Sequence, residues 1–481
     1  MVDSLPHQLT RTRRFSLGAP SRCTVAPDGR TVLFLRSRGG AAPGACLWAT
    51  DAVTGEERML ADPRELLAGG AERLSPEERT RRERARQHSA GIVGYAADDA
   101  CELVVFALSS RLWALRPSSG EVRPLATAEP VLDPRPDPTG RWIAYVSDGA
   151  LRVVAADGGA DRVILAPDGP DVAFGLAEHV AAESMGRHRG YWWAPDGRAL
   201  LVARVDNAPV QRWYVSDPAD PGRPPTVIAY PAVGTANADV SLWLAPVDPA
   251  DGDAVPVDWD TAAFEYLAAA GWDEAGPYAA VQDRSQRRVV VLGIDAGTGA
   301  TKTLAEQRDD AWVTLVPGLP TRTAEGVLVT SADLDDTRRL VVDGEPVTPP
   351  GLQLDAVLAV DGETVLFAAS EEPTELQLWT YAPRTGPRRI TGEPGLHEGT
   401  LRAGTLAVTS VTPDRSATTV VRRPGARAVP VRSDAERPVL EPHGELLRLG
   451  PRELRAALFL PSWHRPGDDP LPVLLDPYGG P

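Results

Sequence analysis

Short runs of alternating apolar and polar residues, punctuated by Pro, Asp and Gly, recur along the whole chain. Three of them, "TVAPDGRTVLFLR" (Thr24 to Arg36), "RPDPTGRWIAYVS" (Arg135 to Ser147) and "YWWAPDGRALLVARVD" (Tyr191 to Asp206), read as strand, tight turn, strand. Side chains alternate faces along a strand, so this period marks half-buried β-structure, and the turn residues close a hairpin. A second hairpin type follows the first two: "LWATDAVTGEERML" (Leu47 to Leu60) and "LWALRPSSGEVRPL" (Leu112 to Leu125). Variants recur as "LRVVAADGGADRVIL" (Leu151 to Leu165), "VVVLGIDAGTGATKTL" (Val289 to Leu304) and "LWTYAPRTGPRRIT" (Leu378 to Thr391). Alternating hairpins of these kinds build four-stranded units, and their repetition predicts an all-β chain folded as a β-propeller. At about 50 residues per unit, residues 21–440 give eight blades, with seven as the alternative, after an N-terminal segment at 1–20.

Two stretches depart from this rhythm. "SPEERTRRERARQ" (Ser75 to Gln87) predicts a helix, with Ser75 as N-cap, Pro76 at the first position and Glu78 as capping-box partner. Its mixed charges predict a solvated helix set between strands. "GLAEHVAAESMGRHRG" (Gly175 to Gly190) predicts a shorter helix that interrupts a blade. Such an excursion must project at an edge or into the channel, where function concentrates.

Composition narrows the partners. Fifty Lys and Arg against 66 Asp and Glu give a net charge of −16, which argues against nucleic acid or an anionic membrane as the main partner and tolerates cationic ligands. Lys302 is the only lysine. Cys23, Cys46 and Cys101 lack metal-site spacing and are too few for a disulfide framework, so each is expected to be a small buried hydrophobe. The first residues carry no apolar signal segment and no 18-residue apolar run occurs, so a cytoplasmic protein is the expectation.

Chemistry-bearing motifs are sparse. The sequence contains no G-x-S-x-G, H-E-x-x-H, paired C-x-x-C or Walker loop. His179 and His188 flank the excursion helix at a spacing unsuited to a metal, and neither a metal nor a cofactor is expected. The excursion does carry two carboxylates, Glu178 and Glu183. Five residues on a helix turn through about 140°, so they do not share a face. Either both are solvated, or Glu183 points into the channel and binds a cation such as a peptide amino terminus.

The stretch from Ala177 to Val215, "AEHVAAESMGRHRGYWWAPDGRALLVARVDNAPVQRWYV", followed by "YPAVGTANADVSLWL" (Tyr230 to Leu244), resembles the N-terminal propeller of dipeptidyl peptidase IV-like members of the prolyl oligopeptidase family. The final stretch, "LPVLLDPYGGP" (Leu471 to Pro481), resembles the first strand and loop of that family's α/β-hydrolase domain, which places residues 441–481 at the start of such a domain. The resemblance implies a substrate-gating, amine-binding propeller of a serine exopeptidase that releases Xaa-Pro dipeptides. Glu183 matches the first of two glutamates that clamp the substrate's free amino group. The second position is Ser184, which brings no charge, and Glu178 would partly substitute. Tyr478 matches the tyrosine whose hydroxyl helps form the oxyanion hole.

The family also holds the substrate backbone with a propeller arginine, for which Arg82, Arg84 and Arg86 are the candidates. No residues matching the catalytic Ser, Asp and His are present, so the 481 residues alone are expected to be inactive. Expected partners are short peptides with a free N-terminus, the hydrolase domain itself, and a second copy in a homodimer of the intact enzyme. The alternative is a stand-alone, non-catalytic propeller that binds peptides or proteins.

Overall fold

Each Pro-Asp-Gly hairpin is closed by its own aspartate. Asp28 Oδ1 accepts the backbone N–H groups of Arg30 (2.8 Å) and Thr31 (2.9 Å), and Asp137 Oδ1 accepts those of Arg141 (2.7 Å) and Trp142 (2.8 Å). An Asp side chain that satisfies the turn's N–H groups fixes the reversal locally. The turn glycines sit against neighbouring units as well. Gly197 has φ +69°, and a Cβ there would lie 2.0 Å from Asp137 Oδ2, so this turn packs directly on the preceding one.

The computed structural model describes residues 4–87, 89–412, 415–440, 444–465 and 467–477. Eight sheets follow one another, each built on four antiparallel strands in chain order: residues 21–61, 96–124, 132–165, 172–256, 266–308, 321–346, 353–389 and 396–431. They are blades 1 to 8 of an eight-bladed β-propeller, so the seven-blade alternative is set aside.

The core lies in the seams between blades. Leu35 and Leu47 of blade 1 meet Phe106 and Leu115 of blade 2, and comparable apolar clusters fill the other seams. A small cluster of Ala280, Val289 and Val313 packs blade 5 against the link that leads to blade 6. Between blades 8 and 1 the ring closes without a shared strand among the described residues. Val32 and Phe34 pack there on Ala407, Val421 and Val431. Full burial of a side chain such as Phe34 contributes roughly 1.5–3 kcal/mol. The N-terminal segment braces this seam: Gln8, on the helix Leu5–Arg11, donates to the Arg437 carbonyl (2.7 Å) and accepts from the Val439 N–H (2.8 Å).

Residues 444–459 form a two-stranded hairpin, tied to the loop after the second strand of blade 7 by Arg448 and Arg455, which share Glu372 at 2.7 and 2.8 Å. The apolar run from Leu471, read from sequence as a strand, forms no strand over the described residues 471–477. Val473, Leu474 and Leu475 are solvent-exposed there, because a strand needs a sheet neighbour and none pairs with this run among the described residues. Cys46 and Cys101 are buried and Cys23 is half-buried. Burial pushes their thiols up, to about 12, 11 and 12 respectively, which suits packing roles rather than reactivity. No helix among the described residues is long and apolar enough to cross a membrane.

Candidate functional site

The site is assembled by two insertions, one after blade 1 and one inside blade 4. Blade 4's first strand is split: Val172–Phe174 and Tyr191–Trp193 pair with the same partner, Ala199–Asp206. Between them, Gly175 N–H donates to the Ala203 carbonyl (2.9 Å) and Ala203 N–H to the Gly190 carbonyl (2.7 Å). The ladder therefore runs on through two glycines while residues 176–189 leave the sheet as a pinched loop. Only glycine permits the pinch, since a Cβ on Gly190 would stand 2.3 Å from the Gly175 carbonyl carbon.

The excursion holds the short helix His179–Ser184, as its sequence predicts. Glu178 is the N-cap residue but makes no capping hydrogen bond. Its carboxylate turns inward to the Arg187 guanidinium, and both side chains are buried. Arg187 also donates to the carbonyls of Leu267 (2.9 Å) and Arg189 (2.9 Å), which ties the excursion to blade 5. Glu178 thus serves the fold at this position, and its place beside a ligand, expected as a partial substitute for the second glutamate, is taken up by Arg187. Glu183 and Ser184 lie at the other end of the helix, both exposed.

The second insertion is the helix Pro76–Arg84, capped by Ser75 Oγ accepting from Glu78 N–H (3.1 Å). Only half of the expected capping box forms. The Glu78 carboxylate instead binds Arg81 (2.6 Å) and Arg82 (2.7 Å), since two guanidiniums one turn on outcompete a neutral N–H. Arg82 also meets Glu72 (2.7 Å) and is buried with Glu78. The helix is therefore not solvated all round, as its mixed charges had suggested, because one charged face is turned inward and fully paired.

That arrangement sorts the three candidate arginines. Arg82 is consumed internally and Arg86 is exposed just past the helix. Arg84 reaches across to Glu183, with its Nε 4.0 Å from Oε1. Burial pulls the Arg84 guanidinium below its usual range, and the Glu183 carboxylate partly restores it.

His179 and His188 border the same carboxylate. Both are held below the usual imidazole range, first by burial and then by Arg84 or Arg81, against an opposing pull from Glu183. Nδ1 of His179 is buried without a hydrogen-bond partner among the described residues, and its ring meets the edge of Tyr230 at 5.1 Å. The outcome is one accessible carboxylate, ringed by a guanidinium and two neutral imidazoles. Such a constellation can accept an ammonium at Glu183 while Arg84 donates to a neighbouring carbonyl. Tyr478 lies outside the described residues. No cluster of three metal-ligating side chains occurs among the described residues.

Sequence reasoning placed Glu183 and Ser184 on the excursion and left Arg84 among three equals. Only the tertiary pairing of Arg82 separates them. It missed Arg189 and the Asp133–Arg135 pair altogether, because "LDPRPDPTG" reads as a strand running into a turn.

A family model described as "Dipeptidyl peptidase IV (DPP IV) N-terminal region" matches residues 102–402. Human dipeptidyl peptidase 8 is 26% identical over 260 residues, covering 45% of this chain and 29% of the human protein. Venom dipeptidyl peptidase 4 of Apis mellifera is 26% identical over 251 residues, covering 47% of this chain and 32% of the bee protein. The matches thus span about a third of these relatives' length. Among solved structures, Porphyromonas gingivalis dipeptidyl peptidase 4 superposes with a TM-score of 0.72 at 16% identity, over 92% of this chain and 65% of that one, a likeness of fold. With more than half its length matched by the family model and its eight blades shared with that fold, the chain belongs to the dipeptidyl peptidase IV N-terminal region family.

Proposed function

We propose that this propeller receives the free amino terminus of a short peptide at Glu183 and gates its access to a serine peptidase domain that releases Xaa-Pro dipeptides. The observation that carries the reading is the exposed Glu183 carboxylate facing Arg84 at 4.0 Å on a loop pinned at both ends. In this reading the ammonium binds Glu183, Arg84 turns to a peptide carbonyl, and Ser184 adds a neutral hydroxyl where a second carboxylate would otherwise bind. One carboxylate instead of two weakens the clamp without abolishing it, since a charge-assisted contact contributes roughly 1.5–3 kcal/mol.

The test is calorimetric titration of the full chain with Gly-Pro amide and with its N-acetylated form. The free amine should bind about 10–100-fold more tightly, and Glu183→Ala should erase that preference. Equal binding of the two peptides would exclude the amine clamp. Joined to such a peptidase domain, the propeller should give turnover of Gly-Pro chromogenic amides with the same dependence on Glu183.

A further inference from the structure

Below the excursion lies a cavity of about 690 Å³, lined from the first strands of blades 1, 3, 5 and 6, the insertion helix and residues 185–189. Its two sides differ in character. Blade 5 and the link that follows it give an apolar side, with Ala268, Val289, Val313 and Leu315, while Arg22, Arg81, Arg135 and Arg189 face it from the other. In a chain of net charge −16, these four and Arg187, which Glu178 neutralises, make five arginines around one cavity, which is not an average of the surface.

Two backbone irregularities put part of this cluster in place. The first strands of blades 1 and 3 each carry a bulge, between Ser21 and Thr24 and between Leu132 and Arg135. Within each bulge one non-glycine residue takes a positive φ, Arg22 at 52° and Asp133 at 44°. Bulges re-aim side chains, and left-handed non-glycine residues are strained, so the fold spends stability to present these groups.

The charges do not balance. Asp133 grips Arg135 through both carboxylate oxygens, at 2.9 and 3.2 Å, and Glu78 holds Arg81 at 2.6 and 2.9 Å. Arg22 and Arg189 are left over. The Arg22 guanidinium has no hydrogen bond or ion pair among the described residues. Arg189 Nε is buried without a partner among the described residues, and the guanidinium's hydrogen bond to the Tyr191 carbonyl is long, at 3.4 Å. Arg189 is pulled down to about 10, first by burial and then by Arg135, against an opposing pull from Asp133, and Arg22, although it reaches solvent, is lowered by partial desolvation and by Arg81. Like charges brought together where water is only partly excluded repel one another.

We propose that the cavity is an anion site, in which Arg22 and Arg189 bind a carboxylate or phosphate group while the apolar part of the same ligand rests against blade 5 and the link that follows it. The planar fork of a guanidinium matches either group with two parallel N–H donors. An anion there would balance the two surplus charges and complete the hydrogen bonding of Arg189. Glu183 is not part of this wall, so the site stands or falls independently of the amine clamp.

The test is titration of the full chain, at constant ionic strength, with inorganic phosphate and separately with N-acetyl-alanyl-glutamate, which offers carboxylates and no free amine. Saturable binding of either supports the site, and the anion that binds identifies the source, free phosphate or peptide carboxylate. Arg189→Gln and Arg22→Gln should each weaken binding ~10-fold or more, while Arg116→Gln on the outside of blade 2 leaves it unchanged. Arg22 is exposed, so its variant keeps the test valid if the Arg189 variant fails to fold. Absence of binding for both anions in the millimolar range, or variants that bind like the native chain, would overturn the proposal.

Discussion

Glu178 and Glu183 stand at the two ends of one short helix and meet opposite fates. The side chain of Glu178 is 5% exposed and locked to Arg187, whereas that of Glu183 is 35% exposed and faces Arg84 only at 4.0 Å. Glu178, the N-cap, has extended backbone and lies just outside the helix, whereas Glu183 sits in its last turn, so the two side chains leave in different directions. Glu178 loses its hydration, which is tolerable only because Arg187 and the carbonyls that Arg187 binds replace it. Glu183 keeps part of its hydration and remains free to exchange it for a ligand. A carboxylate that builds the site and one that uses it are told apart by their surroundings, not by residue type.

The largest effect that can break this comparison is on stability. Glu178→Ala leaves Arg187 buried and unpaired and should destabilise the chain by about 3–5 kcal/mol, whereas Glu183→Ala should stay within about 0.5 kcal/mol. Removing both partners together, as Glu178→Gln with Arg187→Met, should recover much of the loss, because no orphan charge remains. Urea unfolding of the four proteins measures this. Comparable losses for the two single alanine variants would mean that the two ends are not distinct.

A smaller effect tests whether the pinch at the excursion's base holds Glu183 in place. In Gly190→Ala the new Cβ would meet backbone atoms of Gly175 and Leu176 at 2.3 Å, so the strands must part. Overpacking of this kind costs roughly 1–3 kcal/mol. The Ala203 amide, which donates to Gly190, should lose hydrogen-exchange protection, and amine affinity should fall with Glu183 untouched. Retained protection together with native affinity would show that the excursion does not need its pinch.

Much of this architecture is written locally. The Pro-Asp-Gly turns carry their own hydrogen-bond acceptors, and the strands between them alternate, so hairpins and blade count can be read without tertiary knowledge. The Ser75 cap and the excursion helix are equally local. What the sequence hides is pairing over long separations. Nothing in "RRERARQ" says that Arg82 faces inward to Glu72 while Arg84 faces Glu183, since a helix shows its periodicity but not its neighbours. The same limit hid the inward turn of Glu178, whose partner lies nine positions on across a turn that helix geometry does not set. Bulges at Arg22 and Asp133 leave no residue signature at all, because neither is a glycine.

The smallest effect concerns pH, and it probes the exposed end of the helix alone. His179 and His188 are both held below the ordinary imidazole range, so they stay neutral at pH 7 and take up protons only on acidification. Arg84, Arg81 and Arg22 already bear on these two rings, with Glu183 as the opposing carboxylate. Each proton gained places a further cation beside Glu183, where it competes with a bound ammonium. Amine affinity should therefore fall about 3–10-fold between pH 7 and pH 5.5, and His179→Gln with His188→Gln should flatten that fall. Stability moves in the same direction: the unfolded chain, whose histidines have ordinary values, binds protons first, so acidification through that range favours unfolding. Because Glu178 is already neutralised by Arg187 and shielded from solvent, the double variant should leave the Glu178→Ala stability loss unchanged. A pH profile that persists without the two histidines would instead show that the two imidazoles do not set the dependence.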